Sequence, residues 1–461
     1  MKSLILRCTL IGILSASGIA YAANPQAQTN DDLADLQQQI DLMRKNYDQR
    51  IRDLENRLVQ AERRAADSDE LREELVESVE ELTLAPGGDQ VASRPSDFNP
   101  GIGVVMVGTI QSMNPSTDTF EIPGFALGEE TGLGNDGLSV GESDFTLNGS
   151  IDDKFYGSMT LAVSGDEGVV LEEAYVQTLA LGGGFNIRAG RFFSSIGYLN
   201  EKHLHTDDFI GRPLPYRAML GNQYGDDGLQ LSWLAPTDNY WIVEAEVFRG
   251  DAFPAGGAAN EGFGSWTLSS HVGGDFGVSH SWMAGISMLN LDVEARTTQE
   301  QFSGAGSEEV FTGDSTLYIG DFVYKWSPAG NTRSQFLKLQ GEYFWREEDG
   351  LFTPVDGNDL AYREDQNGWY LEGVYQFKPK WRIGLRHSEL DAGSLGPAFA
   401  YSSLNTQRHS PRQNTLMLDW SNSEFSRIRL QYNRDESMRD SVDIWTLQYI
   451  MSLGAHAAHG Y

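Results

Sequence analysis

Four side chains able to hold a metal ion fall within HLHTDD: His203, His205, Asp207 and Asp208. Residues two apart share one face of an extended chain, so an extended segment would present His203, His205 and Asp207 together. Two imidazoles and a carboxylate suit a borderline divalent ion such as zinc. The plain alternative is a polar loop whose histidines bind nothing. His456 and His459 are a weaker pair, because a spacing of three puts them on opposite faces of a regular strand. A second set of charged residues, Lys338, Glu342, Arg346, Arg382, Arg386, Arg427 and Arg429, alternates with apolar residues along short segments. Such residues would line an aqueous lumen. Set opposite Glu173, Glu244 and Glu246, the arginines would impose a transverse field; otherwise they form structural salt bridges. For catalysis there is little: RHS occurs at 386–388 and 408–410, but no nucleophile elbow accompanies it. The chain reads as non-enzymatic, with no cofactor beyond the zinc suggested at 203–208.

The elements that carry these residues are period-two segments running from residue 102 to the C-terminus at 461. FLKLQGEYFWR sets Leu337, Leu339, Tyr343 and Trp345 against Lys338, Gln340, Glu342 and Arg346. WRIGLR sets Trp381, Ile383 and Leu385 against Arg382 and Arg386, and SRIRLQYN sets Ile428, Leu430 and Tyr432 against Arg427, Arg429 and Gln431. Short turns (SPAGN, KPK, NSE) alternate with long polar loops around 113–141, 192–225, 291–312, 347–366 and 391–412. Aromatic residues gather at strand ends, and glycine is abundant at 50 residues. A sheet with one aromatic-rich face, one charged face and asymmetric loops is the pattern of a lipid-embedded barrel. The expected fold is an all-β transmembrane barrel of about sixteen antiparallel strands, wide enough for a water-filled lumen.

The N-terminal quarter is different. Residues 1–22 carry two basic residues, a short apolar stretch and Ala20-Tyr21-Ala22, which is the form of a secretory signal peptide. The single cysteine, Cys8, lies inside it, so no disulfide is expected afterwards. Without Lys2 and Arg7 the chain has 32 basic against 66 acidic side chains, a net charge of −34. Nucleic acid is excluded as a partner, since its binding needs cations set against phosphates. After a short segment, 23–30, residues 31–84 contain neither Gly nor Pro and repeat apolar residues at Leu33, Leu36, Ile40, Met43 and Tyr47. That stripe, resumed at Ile51 after a stutter, predicts a coiled coil and hence self-association, expected as a homotrimer. A Pro/Gly/Ser linker, 85–101, leads into the barrel. The chain ends in IWTLQYIMSLGAHAAHGY, whose odd face carries Tyr449, Met451 and Leu453 and which closes on Tyr461. An aromatic last residue after alternating apolar positions resembles the signal read by the barrel assembly machinery.

Several ordered stretches, among them LEEAYVQTLALGGGFNIRAGRFFSSIGYLNEKHLHTDDF, NGWYLEGVYQFKPKWRIGLR and SEFSRIRLQYNRD, resemble a proteobacterial family of porin-like outer-membrane proteins. Its members are often labelled zinc-regulated outer-membrane receptors and are distantly similar to phosphate-selective porins. The resemblance implies the outer membrane of a Gram-negative bacterium, with lipid around the barrel and the coiled coil in the periplasm. Its label also implies TonB-dependent uptake, whose receptors fill a 22-stranded barrel with a plug domain; here a coiled coil and linker precede a shorter barrel. The function expected is therefore a passive channel for small polar solutes or ions. A metal-responsive receptor using HLHTDD is the alternative, and a structural protein with a periplasmic coiled-coil spacer the third.

Overall fold

The computed structural model describes residues 100–454 except 117–119, 129–130, 166–167, 180, 257–261, 299–307 and 356. The expected signal peptide, the coiled coil, almost all of the linker, His456, His459 and Tyr461 lie outside the described residues.

Alternation resolves into sixteen antiparallel strands. The first eight are β1 (Gly101–Asn114), β2 in two pieces (Gly137–Val140 and Ser143–Ser150, both paired to β1), β3 (Phe155–Ser164), β4 (Gly168–Thr178), β5 (Phe185–Phe193), β6 (Gly225–Leu234), β7 (Tyr240–Phe248) and β8 (Ser265–Phe276). The second eight are β9 (His280–Thr297), β10 (Val310–Trp326), β11 (Phe336–Thr353), β12 (Leu360–Lys378), β13 (Trp381–Ala392), β14 (Arg412–Ser423), β15 (Ser426–Glu436) and β16 (Val442–Gly454). Each pairs with its neighbours in sequence, and β1 pairs with β16 from Gly103↔Gly454 to Asn114↔Asp443. The barrel is closed, so no strand edge is left open. One end carries Gly101 and Gly454 and the short connections; the opposite end carries the long ones at 115–136, 194–224, 249–264 and 393–411.

Side chains sort as the alternation requires. On β11, Trp345 is 43% exposed and its neighbour Arg346 only 1%. Leu339, Tyr343, Leu371, Ile383, Leu385, Leu430, Trp445, Leu447 and Tyr449 also face out, while Gln340, Glu372, Asp419, Gln431 and Thr446 are buried. An apolar exterior around a polar interior suits a wall with lipid outside and water or polar groups inside.

Two expectations needed correction. Strand reaches into both 291–312 and 347–366, taking up 291–297, 310–312, 347–353 and 360–366, because β9 to β12 run for 17 to 19 residues, well past the roughly 9–11 needed to span a bilayer. Toward the long-loop end their polarity reverses: Phe311, Phe352 and Tyr362 are buried inside while Thr312, Asp349 and Arg363 face out. A pattern suited to water on both sides, with charge outside, reads as loop beside lipid-facing strands. The second correction concerns the interior, which is polar only in part. Leu317, Ile319, Phe344 and Tyr370 of the wall pack with Ile196, Tyr216 and Leu220 of an inward-folded connection. An apolar core thus fills one side of the barrel.

Candidate functional site

That connection, residues 194–224, leaves the long-loop end of β5 and runs inside the barrel before returning to β6. A single short helix, α1 (Leu214–Leu220), ends it, with every residue buried and Gly221 closing it in the left-handed conformation at φ 61°. Buried backbone must find partners, and the wall supplies them. Over the first limb they are two carboxylates and the Ser287 hydroxyl, which accepts from Gly197 N–H at 3.0 Å. Glu246 accepts from Ser195 N–H (3.0 Å), from Thr267 (2.5 Å) and from the Ser194 hydroxyl. Glu342 accepts from Tyr198 N–H (3.1 Å), Leu199 N–H (3.3 Å) and the hydroxyls of Tyr216 (3.0 Å) and Tyr370 (2.6 Å). Gly197, between them, has φ +63°, and a Cβ there would lie 2.3 Å from Glu342 Oε2. Only glycine fits so close to the carboxylate.

Over the second limb the partners are mostly cations. Arg427 donates to the His205 carbonyl, Arg429 to that of Asp207 and Arg386 to that of Gly211, each at 2.8 Å. Gln431 both donates to and accepts from Ile210 (2.9 and 2.8 Å). Arg382 reaches Asp208 (2.6 Å) and Asp419, and Asp419 also accepts from Arg429 (2.9 Å). Lys338 lies 3.0 Å from Asp208. Although burial pushes the Asp208 carboxyl up, Lys338 and Arg382 hold it well below the usual carboxylate range. Arg346 is apart from the others, buried with Glu348 and Arg296 and hydrogen-bonded to Gln366 (2.9 Å).

What the connection leaves open lies against the shorter strands. A cavity of about 930 Å³ extends toward the terminal end, bordered by Tyr156, Glu173, Arg188, Glu244, His271 and Lys338 among others. A second of about 520 Å³ lies toward the long-loop end, bordered by Glu172, Arg191, Asp251 and Arg296. Phe193 borders both. Of the seven charged residues read from sequence as lumen-lining, Lys338 borders the larger cavity, whereas Glu342, Arg346, Arg386 and Arg429 are buried. The arginines do not face Glu244 and Glu246 across open water; the inward connection lies between, held by both sides.

With this geometry in view, comparison with known proteins places the fold. No family model matches the sequence. An uncharacterized protein of Aquifex aeolicus (strain VF5) is 28% identical over 344 residues, 70% of each chain. Among solved structures, OprB of Pseudomonas putida at high pH superposes with a TM-score of 0.50 at 10% identity, over 77% of this chain and 94% of that one. DcaP, an outer membrane channel of Acinetobacter baumannii, gives 0.48 at 11% identity, over 77% and 97%. The architecture is a closed sixteen-stranded antiparallel barrel like those of outer-membrane porins.

The HLHTDD side chains do not converge on one point. Leu204–Thr206 is a single 3-10 turn, closed by Thr206 Oγ1 and N–H on the His203 carbonyl (2.7 and 2.9 Å), so the extended face does not form. Asp207 turns to Arg212 (3.2 Å) and Asp208 to Lys338 and Arg382. The two histidines turn the other way, their rings stacked at 5.7 Å. His203 Nδ1 lies 3.2 Å from Glu172 and its Nε2 3.0 Å from Glu173, while His205 Nδ1 is 2.5 Å from Asp144. Burial pulls the His203 imidazole down, but its hydrogen bonds to the Glu172 and Glu173 carboxylates outweigh it and raise it to about 10.

Asp144 and Glu172 were missed in the sequence, yet one signal was there. Along VVLEEAYV the outward apolar residues switch from odd (Val169, Leu171) to even (Ala174, Val176). Pairing shows the cause: Glu173 opposes Thr160 and Leu171 opposes Leu161, leaving Glu172 as an extra residue. This bulge turns two consecutive glutamates to the same side.

Proposed function

We propose that the chain is an outer-membrane porin, a passive diffusion channel for small polar solutes or ions. The observation that carries this is the closed barrel whose inward connection blocks one side and leaves polar cavities on the other. The apolar outer band fits lipid, and the terminal end, which receives the linker, is the periplasmic end. The coiled coil at 31–84 would gather three copies there, and Tyr461, following the outward residues Tyr449 and Leu453 of β16, would serve assembly into the membrane. In this reading Lys338, Arg382 and Arg427 edge the path, while Glu342, Arg386 and Arg429 set its bore by holding the connection in place. Arg346 supports the wall behind it.

The test is conductance of the purified chain in a planar bilayer. Stepwise, ohmic current in potassium chloride is expected, with triplet steps if three barrels associate. Absence of ohmic current in any salt would sink the porin reading.

A further inference from the structure

We propose that Asp144, Glu172 and His203, with His205 beside them, form a binding site for one divalent cation of zinc's chemical class at the boundary of the two cavities. Three features support it. The first is spacing. Tetrahedral ligands at zinc distances lie about 3.3 Å from one another; His203 Nδ1 lies 3.2 Å from Glu172 Oε2 and 3.9 Å from Asp144 Oδ2. One ligand atom from each of the three residues falls within 4.8 Å of the others.

The second is orientation. A metal-bound imidazole usually donates its other N–H to a carboxylate, which fixes the ring. His203 Nε2 has Glu173 at 3.0 Å, leaving Nδ1 directed at Asp144 and Glu172. The bulge at Glu172 provides both roles at once, one glutamate as ligand and the next as the group that orients the ring.

The third is a buried donor atom awaiting a partner. Asp144 is 3% exposed; its Oδ2 lies against His205 and faces His203, and its other oxygen, Oδ1, has no hydrogen-bond partner among the described residues. Burying such an oxygen is costly unless something satisfies it. Mixed imidazole and carboxylate ligands favour zinc-like ions over calcium, which takes six or more oxygens.

The site goes beyond the channel reading and does not depend on it. Glu173, His203 and His205 border the larger cavity and Glu172 the smaller, so a bound cation would sit where one opens toward the other. If the barrel conducts, occupancy would narrow that passage and place positive charge in it.

The experiment is isothermal titration of the full-length, detergent-solubilised protein with zinc chloride, with calcium chloride in parallel. One zinc per chain is expected, with calcium at least tenfold weaker. His203→Ala and Glu172→Gln should each abolish the signal, and Glu173→Gln should weaken it about tenfold. Each variant is first shown to migrate as folded barrel in unheated gels; if His203→Ala does not, Glu172→Gln and Glu173→Gln carry the test. No zinc binding, binding unchanged in folded Glu172→Gln, or equal binding of calcium would each overturn the proposal. Because titration reads binding directly, a barrel that binds zinc but passes no current would refute the channel and leave the site standing.

Discussion

The two limbs of the inward connection are fastened by opposite chemistry. Ser195, Tyr198 and Leu199 offer backbone N–H groups to wall carboxylates, and His205, Asp207 and Gly211 offer carbonyls to wall arginines. The fastening also differs in how it is shared. On the first limb Glu342 takes two amides and two tyrosine hydroxyls, with Glu246 and Ser287 taking one amide each, whereas the second limb spreads its carbonyls over Arg386, Arg427, Arg429 and Gln431. A concentrated support fails all at once, and a distributed one fails in parts.

Four variants probe that contrast. Glu342→Ala should have the largest effect, leaving several buried donors without acceptors and costing on the order of 3 kcal/mol. Urea unfolding in detergent should show the loss, and bilayer recordings should show larger, noisier conductance as the limb detaches. Stability equal to wild type would mean that the carboxylate is not the main support. Gly197→Ala strikes the same limb through sterics, forcing a Cβ against Glu342 Oε2 at a positive φ; about 2 kcal/mol is expected. A similar conductance change in both variants would confirm that they release one element.

Arg429→Met should cost less, about 1–2 kcal/mol, because Asp419 keeps Arg382 and neighbouring arginines still hold the second limb. If it proved as damaging as Glu342→Ala, the distributed view would be wrong. Lys338→Gln should be the mildest: Asp208 retains Arg382, so stability should stay within about 0.5 kcal/mol of wild type. Its effect would appear as a shift of reversal potential toward cations in a salt gradient, since Lys338 borders the larger cavity.

The sequence made the barrel legible because a wall between lipid and polar interior enforces period two, and Trp345 beside Arg346 states it plainly. It concealed the extensions of β10 to β12, where Phe311, Phe352 and Tyr362 reverse the polarity that marks the membrane zone. For the site, the alternation puts the seven charged residues on the polar faces as lumen lining, but it does not show the segment that most of them hold. Nothing local to Arg386 or Glu342 announces that a segment more than a hundred residues away will lie against it. HLHTDD was recognised by composition, and its real geometry was hidden by a 3-10 turn that splits histidines from aspartates. Asp144 and Glu172 come from other strands, and only the change of parity at Glu172 betrays the arrangement.

The fastening of the second limb also implies an order of events in time. Arg427 and Arg429 contact residues 222 positions earlier in the chain, and Glu246 residues only about 51 earlier. Contacts so distant form late, since the intervening chain must first be placed. During biogenesis the first limb can be pinned at Ser195 once β7 is in the wall and at Tyr198 and Leu199 once β11 is, but the second is not fully held until β15 arrives. The passage should therefore acquire its final width only as the last strands join, a newly inserted barrel being leakier than a mature one.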